Sequence, residues 1–182
     1  ILVLAEAYPT QGQPAALRYI HSRNLAYREN GHDVEVINFS ASSDYAIDGI
    51  TVFGADSGAG IDASNYDIVL LHAPNLKHHI KWWSRHKSEI KALILFAHGH
   101  EFLDADKVYP AEFDFVQRPV IRGLVRKIYD RVKLAYWARW FERTQANYRV
   151  ISVSKWMQDQ VCHFANVSQE VRARHFVVVP NS

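Results

Sequence analysis

A single cysteine, Cys162, occurs among the 182 residues, so no disulfide can close within the chain. That scarcity favours a reducing compartment, and the expected location is cytoplasmic. No apolar run approaches the roughly 20 residues that a membrane-spanning helix needs. The opening Ile1-Leu2-Val3-Leu4-Ala5 reads neither as a signal peptide nor as an initiator-methionine terminus, and the expectation is that a few residues precede it. An excess of one charge is also missing. A net charge of +2 is too small to imply nucleic acid as a partner. Internal repeats, low-complexity tracts, the GxGxxG fingerprint of nicotinamide-cofactor domains and the H-E-x-x-H and H-x-x-E-H zinc patterns are all absent.

The composition that remains is that of an ordinary globular domain, with 48% hydrophobic and 22% charged residues. Its length predicts one domain over residues 1–182, large enough to bury a core. Strand and helix signals alternate. Strands are expected at Ile1–Ala5, Asp33–Asn38, Tyr66–Leu71, Ala92–Phe96, Arg149–Val153 and Phe176–Val179, with a short one at Gly49–Phe53. Helices are expected from Pro14 to Tyr27, Leu76 to Ile90, Pro119 to Ala146 and Lys155 to Phe164. Gly31 is expected to close the first helix and Ser154 to cap the last. Asp104 to Gln117 reads as irregular. Such alternation predicts an α/β domain with a mostly parallel sheet.

In parallel sheets ligands bind beyond the carboxyl ends of the strands. Those ends carry Tyr8 to Gln13, His72 to Asn75, His98-Gly99-His100-Glu101, Ser154-Lys155 and Pro180-Asn181-Ser182. Gly12, ahead of the first helix, can offer backbone N–H groups to an anion, or serve only to turn the chain. His98 and His100 have the H-x-H form of some metal sites, with His72, Asp104 or Asp106 as further ligands; the alternative is that they cap backbone or face solvent. His78 and His79, with Lys77 and Lys81, read as surface beside Trp82 and Trp83 as core. Arg118, Arg122 and Arg126 recur every four residues beside an apolar stripe of Ile121, Val125, Ile128, Val132 and Ala135. Such a helix suits an anionic membrane surface or acidic substrate, while the milder reading is a helix packed on its sheet with a solvated basic face.

Taken together these pieces resemble the N-terminal half of GT-B glycosyltransferases of the large retaining group called glycosyltransferase family 4, over nearly the whole chain. Leu25 to Val34 resembles its L-a-x-x-L-x-x-x-G-H-x-V signature, and Tyr66 to His72 its yDivhvH strand. His98-Gly99-His100-Glu101 is similar to its H-G-x-E/D segment. Arg149 to Lys155 resembles its d-x-v-i-x-v-S strand and cap, and Phe176 to Asn181 its v-x-v-I-P-N-G strand. The chain departs from the pattern in having only Gly12 where many members have a glycine pair, and Ser182 where glycine is usual.

The resemblance implies a Rossmann-like three-layer domain forming the acceptor side of a sugar transferase. A nucleotide-sugar would be the co-substrate, without other cofactor or metal, and a glycan, lipid or small molecule the acceptor. Most of the donor site would lie in a C-terminal domain absent from this chain, leaving the fragment alone inactive. His98 would lie against the reacting sugar as the catalytic residue. Gly12 and Gln13 would form the donor-phosphate or acceptor loop. His72, Asn75, Gly99, His100, Glu101, Ser154 and Asn181 would line the cleft. Arg118, Arg122 and Arg126 would meet an anionic acceptor, or an anionic membrane at its inner face. Two other classes stay open: a metal-dependent hydrolase built on His98 and His100, and a non-catalytic α/β binding module.

Overall fold

The computed structural model describes residues 1–108 and 120–180; for residues 105, 106 and 120–124 it describes the backbone alone. Apolar runs too continuous to face water on either side become inner strands. β1 (Leu2–Ala5) is wholly buried. After α1 (Arg18–Glu29) and β2 (Glu35–Asn38), the chain makes a hairpin of β3 (Tyr45–Ile47) and β4 (Ile50–Phe53). Then come α2 (Ala55–Gly58), β5 (Val69–His72), α3 (His79–His86) and β6 (Leu93–Ala97). Further on lie α4 (Ala105–Val108), α5 (Val120–Arg143) and β7 (Tyr148–Ser152). The last elements are α6 (Lys155–Phe164), α7 (Gln169–His175) and β8 (Phe176–Val178).

The eight strands form one sheet in the order β3-β4-β2-β1-β5-β6-β7-β8. β1 is paired in parallel on both sides, with Leu2 opposite Glu35 of β2 and Val69 of β5. β2 with β4, β5 with β6 and β7 with β8 are also parallel, and β3 with β4 is antiparallel. The expected α/β class, with a mostly parallel, helix-flanked sheet, is the one adopted.

The chain packs as two compact units: Ile1–Phe96 with Ala146–Arg149, and Ala97–Gln145 with Val150–Ser182. In the first, Leu2, Leu4, Ile20, Ile37, Ile50 and Leu71 make the centre of the core. In the second, Trp137 and Phe141 of α5 gather Phe102 and Phe176, with ring centroids 4.7 Å apart for Phe102–Trp137 and 5.3 Å for Phe141–Phe176.

Several elements depart from expectation for local reasons. The first helix starts at Arg18 rather than at Pro14. Thr10 and Gln13 exchange backbone hydrogen bonds, and Leu17 is left-handed (φ 43°), which a growing helix cannot include. The third helix begins only at His79, because Asn75 Oδ1 takes the His78 N–H at 2.7 Å in a turn. The β3–β4 hairpin was not foreseen, although Asp48-Gly49, both left-handed (φ 48° and 73°), is a strong turn pair. α2 and α7 were also not foreseen; α7 is capped by Ser168 Oγ, which accepts from Val171 N at 3.3 Å. Of the stretch expected to be irregular, α4 takes 105–108, and 109–117 lie outside the described residues.

α5 does not turn its apolar stripe inward. Val125, Ile128, Tyr129 and Val132 are between 47% and 60% exposed, whereas Asp130, Lys133, Trp137, Trp140 and Phe141 are buried. The helix turns its Asp130–Lys133 side inward and its aliphatic side to water.

His79, expected at the surface, is instead fully buried and ties α3 to β1. His79 Nε2 donates to Leu4 O at 3.3 Å, and Nδ1 accepts from Asn75 N at 3.4 Å, so both nitrogens are used by the neutral ring. Burial pushes its pKa from 6.5 down to about 4. Below pH 6.5 the unfolded chain takes up a proton that the folded chain refuses until about pH 4. Stability should therefore fall by roughly 3 kcal/mol across that window and level off beneath it. Urea midpoints across the window should show this loss, and His79→Gln should flatten it.

Candidate functional site

From β1 the chain passes to β2 on one side, while β5 lies on the other. Loops leaving β1 and β5 therefore part from one another, and in parallel α/β sheets that point opens the ligand crevice. Glu6 is the first residue beyond β1, and Ala73-Pro74-Asn75 follow β5. Ala73 is left-handed (φ 47°), a conformation costly for a residue with a Cβ. Beyond it, Asn75 Nδ2 donates to Glu6 Oε2 at 2.7 Å, and His78 Nδ1 meets the same oxygen at 2.8 Å. Ser40 Oγ, just past β2, donates to Glu6 O at 2.5 Å. Asn75 is thus brought together with Glu6 and His78, neither of which the sequence had marked for a site.

The loop after β1 is anchored through Tyr8. Its hydroxyl meets His21 Nδ1 at 2.8 Å and accepts from Asn24 Nδ2 at 3.0 Å; His21 Nε2 reaches Asp48 Oδ2 at 2.8 Å. One assignment places every proton: Nε2–H on Asp48, and Tyr8 O–H on Nδ1. Burial raises the Tyr8 phenol to about 12, so it remains a donor. Further along, Gln13 N is committed to Thr10 O (3.2 Å) and Thr10 Oγ1 (3.1 Å). With α1 starting only at Arg18, the expected joint action of this loop and a helix start on an anion is lost. Gly12 is exposed, not left-handed, and has open space where a Cβ would stand, so no turn demands glycine there. It lines a groove of about 530 Å³ with Thr10, Gln11, Ser40, Ser43 and Tyr45. A larger hollow of about 980 Å³ opens at the opposite edge, among His32, Asp33, Asn65 and Tyr66. We place the site at the carboxyl edge, where strand direction puts it.

His72 does not line a surface. It is 1% exposed and lies flat on Phe96, with centroids 4.3 Å apart and planes at 3°, so its ring is core.

In the second unit, β6 ends at Ala97 and residues 98–103 form a turn closed by Phe102 N to Gly99 O at 3.1 Å. The extended geometry that would set His98 and His100 on one face for a metal is therefore not adopted. Glu101 folds back and is 3% exposed; its Oε1 accepts from His98 N and, at 2.9 Å, from Gly99 N. The His100 side chain is 80% exposed, with Nδ1 3.9 Å from Glu101 Oε2. Beneath the loop, Lys133 Nζ donates to His100 O (2.5 Å), Leu103 O (2.8 Å) and Asp130 Oδ1 (2.6 Å). All three ammonium protons are used, and the side chain is 6% exposed. Lys133 is a positioning residue that sequence reading had only counted among cations.

Ser154 acts as the expected cap of α6: its Oγ accepts from Met157 N at 3.1 Å. Arg126 is half-buried, and Arg122 lies in α5 with its side chain outside the described residues. Arg118 and Asn181 lie outside them altogether. Among the described residues no three His, Cys, Asp or Glu side chains gather as a metal-ligand set, and no helix is long and apolar enough to cross a membrane. No family model and no curated protein matches the chain.

Removing the Lys133 ammonium would take one hydrogen bond from each of two loop carbonyls and from the buried Asp130 carboxylate. Lys133→Met should lower unfolding free energy by about 3 kcal/mol, and Asp130→Asn added to it should recover part of that loss. Chemical denaturation of the two variants checks both, with amide exchange of residues 98–103 as the local readout.

Proposed function

We propose that this chain is the acceptor-side domain of a GT-B glycosyltransferase, moving a sugar with retention from a nucleotide-sugar to a glycan, lipid or small-molecule acceptor. The observation that carries it is the His98 loop, fixed from within by Glu101 and from below by Lys133 at the end of an inner strand. Glycosyl transfer needs an acceptor hydroxyl held in line and a departing diphosphate stabilised. A histidine on a loop that cannot wander suits the first task, by hydrogen-bonding hydroxyls of the reacting sugar. The second belongs to a C-terminal donor domain, with Gly12 bringing backbone to the phosphates. The motif series from Leu25 to Asn181 supports the same reading.

The test joins this chain to the sequence that follows it in its gene and supplies nucleotide-sugars with mixed acceptors. Transfer is expected, and His98→Ala should lower kcat about hundredfold. The chain alone should show no transfer and only weak donor binding by calorimetry. Tight binding by the chain alone, or no transfer by the joined protein, would sink the reading.

The exposed face of α5 favours a second element, docking at the cytoplasmic face of an anionic bilayer. Val125, Ile128, Tyr129 and Val132 offer hydrocarbon to the membrane, and exposed Lys127 and Arg131 sit beside them for lipid phosphates. Each such cation contributes about 1 kcal/mol near an anionic surface. Flotation with phosphatidylglycerol vesicles should weaken with added salt, with Lys127→Glu plus Arg131→Glu, and with Ile128→Asp. Equal flotation with neutral vesicles would remove this element.

A further inference from the structure

We propose that Glu6 and His78 form a carboxylate–imidazole dyad that binds the hydroxyls of a carbohydrate at the crevice between β1 and β5. The inference rests on the transferase reading for its biological sense, and on the first unit alone for its geometry.

Proton accounting defines what the dyad offers. Glu6 Oε2 can only accept, so the Nδ1 that meets it at 2.8 Å carries the proton. His78 Nε2 is then left with its lone pair outward. Asn75 is used at both ends: Nδ2 donates to Glu6 Oε2, and Oδ1 accepts from His78 N at 2.7 Å. Its amide orientation is thereby settled, and it locks the carboxylate and imidazole to one another. Phe39 supports the ring, stacked with centroids 5.3 Å apart and planes at 26°. The Glu6 main chain is held by Ser40.

The remaining atoms are His78 Nε2 and Glu6 Oε1. Neither has a hydrogen-bond partner among the described residues, and their side chains are 27% and 43% exposed. Two pre-oriented acceptors at the strand-order switch ask for a ligand that carries several donors. The hydroxyls of a sugar ring supply them without bringing charge. A metal ion would find one imidazole and one carboxylate already engaged by two donors, and no third ligand among the described residues. The pair orients hydroxyls; no bond to carbon forms or breaks there.

The experiment records long-range proton–nitrogen correlations of the histidine rings in the full chain. First, His78 should show the Nδ1–H tautomer; the opposite tautomer would overturn the dyad. Second, the chain is titrated with methyl α-glucopyranoside, methyl α-mannopyranoside, methyl β-galactopyranoside and myo-inositol. At least one should move the His78 Nε2 resonance saturably, with Glu6→Gln weakening affinity about tenfold, or 1.4 kcal/mol. His163→Ala, at an exposed position of α6, should leave that affinity unchanged, and His78→Gln, verified as folded from its amide spectrum, should weaken it. No shift up to the solubility limit, an undiminished shift in Glu6→Gln, or a shift with calcium chloride but no sugar would each overturn the proposal. Sugar binding here without transfer by the joined protein would instead count against the transferase reading and leave the dyad standing.

Discussion

β1 can hold no polar side chain, and much of the architecture follows from that constraint. Its four residues are each fully buried, and strands pair with it on both sides. An unpartnered polar group there would cost roughly 2 kcal/mol or more. Chemistry is therefore displaced to where the chain leaves the strand, and Glu6 is the first position at which a carboxylate becomes affordable. The parallel pairing then decides which end matters, because β1, β2 and β5 deliver their exits to the same edge.

At these exits the chain answers its own buried polar atoms, and it does so by three different constructions. After β1, Tyr8, His21 and Asp48 pass hydrogen bonds from a buried phenol to a half-exposed carboxylate. After β5, Asn75 bonds Glu6 and His78 simultaneously. After β6, a carboxylate and an ammonium hold one turn from two sides, Glu101 through its N–H groups and Lys133 through its carbonyls. After β6 the atoms that hold the loop are inside, whereas after β1 and β5 the bonds run out to the part-exposed carboxylates of Asp48 and Glu6. A site built this way needs little reorganisation when a ligand arrives.

The strands of this fold were legible because burial on both faces leaves an unmistakable apolar run, as in Val69–His72 and Leu93–Ala97. Ser154 was legible because a cap is a local bond. Glu6 was not: it sits between alanines in no motif, and only the approach of Asn75, 69 positions away, gives it a role. Lys133 was hidden for a related reason, since one cation in a basic helix is marked only by the distant carbonyls it meets. His72 erred the other way. Its place at a strand end suggested a lining residue, but a ring stacked on Phe96 is settled by tertiary packing that periodicity does not encode. The Asp48-Gly49 turn carries a local hairpin signal, set within a stretch rich in polar residues.

The orientation of α5 shows how local preference and tertiary demand conflict. Successive residues turn by about 100°, so Asp130, Lys133 and Trp137 share one face while Val125, Ile128 and Val132 fall on another. The aliphatic set is the natural inward face. Leaving three such side chains in water forgoes roughly 5 kcal/mol. A buried ion pair does not repay that by itself, since apolar replacements of such pairs are often neutral or stabilising. The aromatics on the same inward face do, since rotating the helix would bring Trp137, Trp140 and Phe141 into water. Lys133 acts in the same direction by fixing the carbonyls of the His98 loop, and Val125, Ile128 and Val132 are left on the outer face. The helix breaks the inside-out rule on its aliphatic side because its aromatic side has the stronger claim on the core, and that same side carries the lysine that supports a histidine loop.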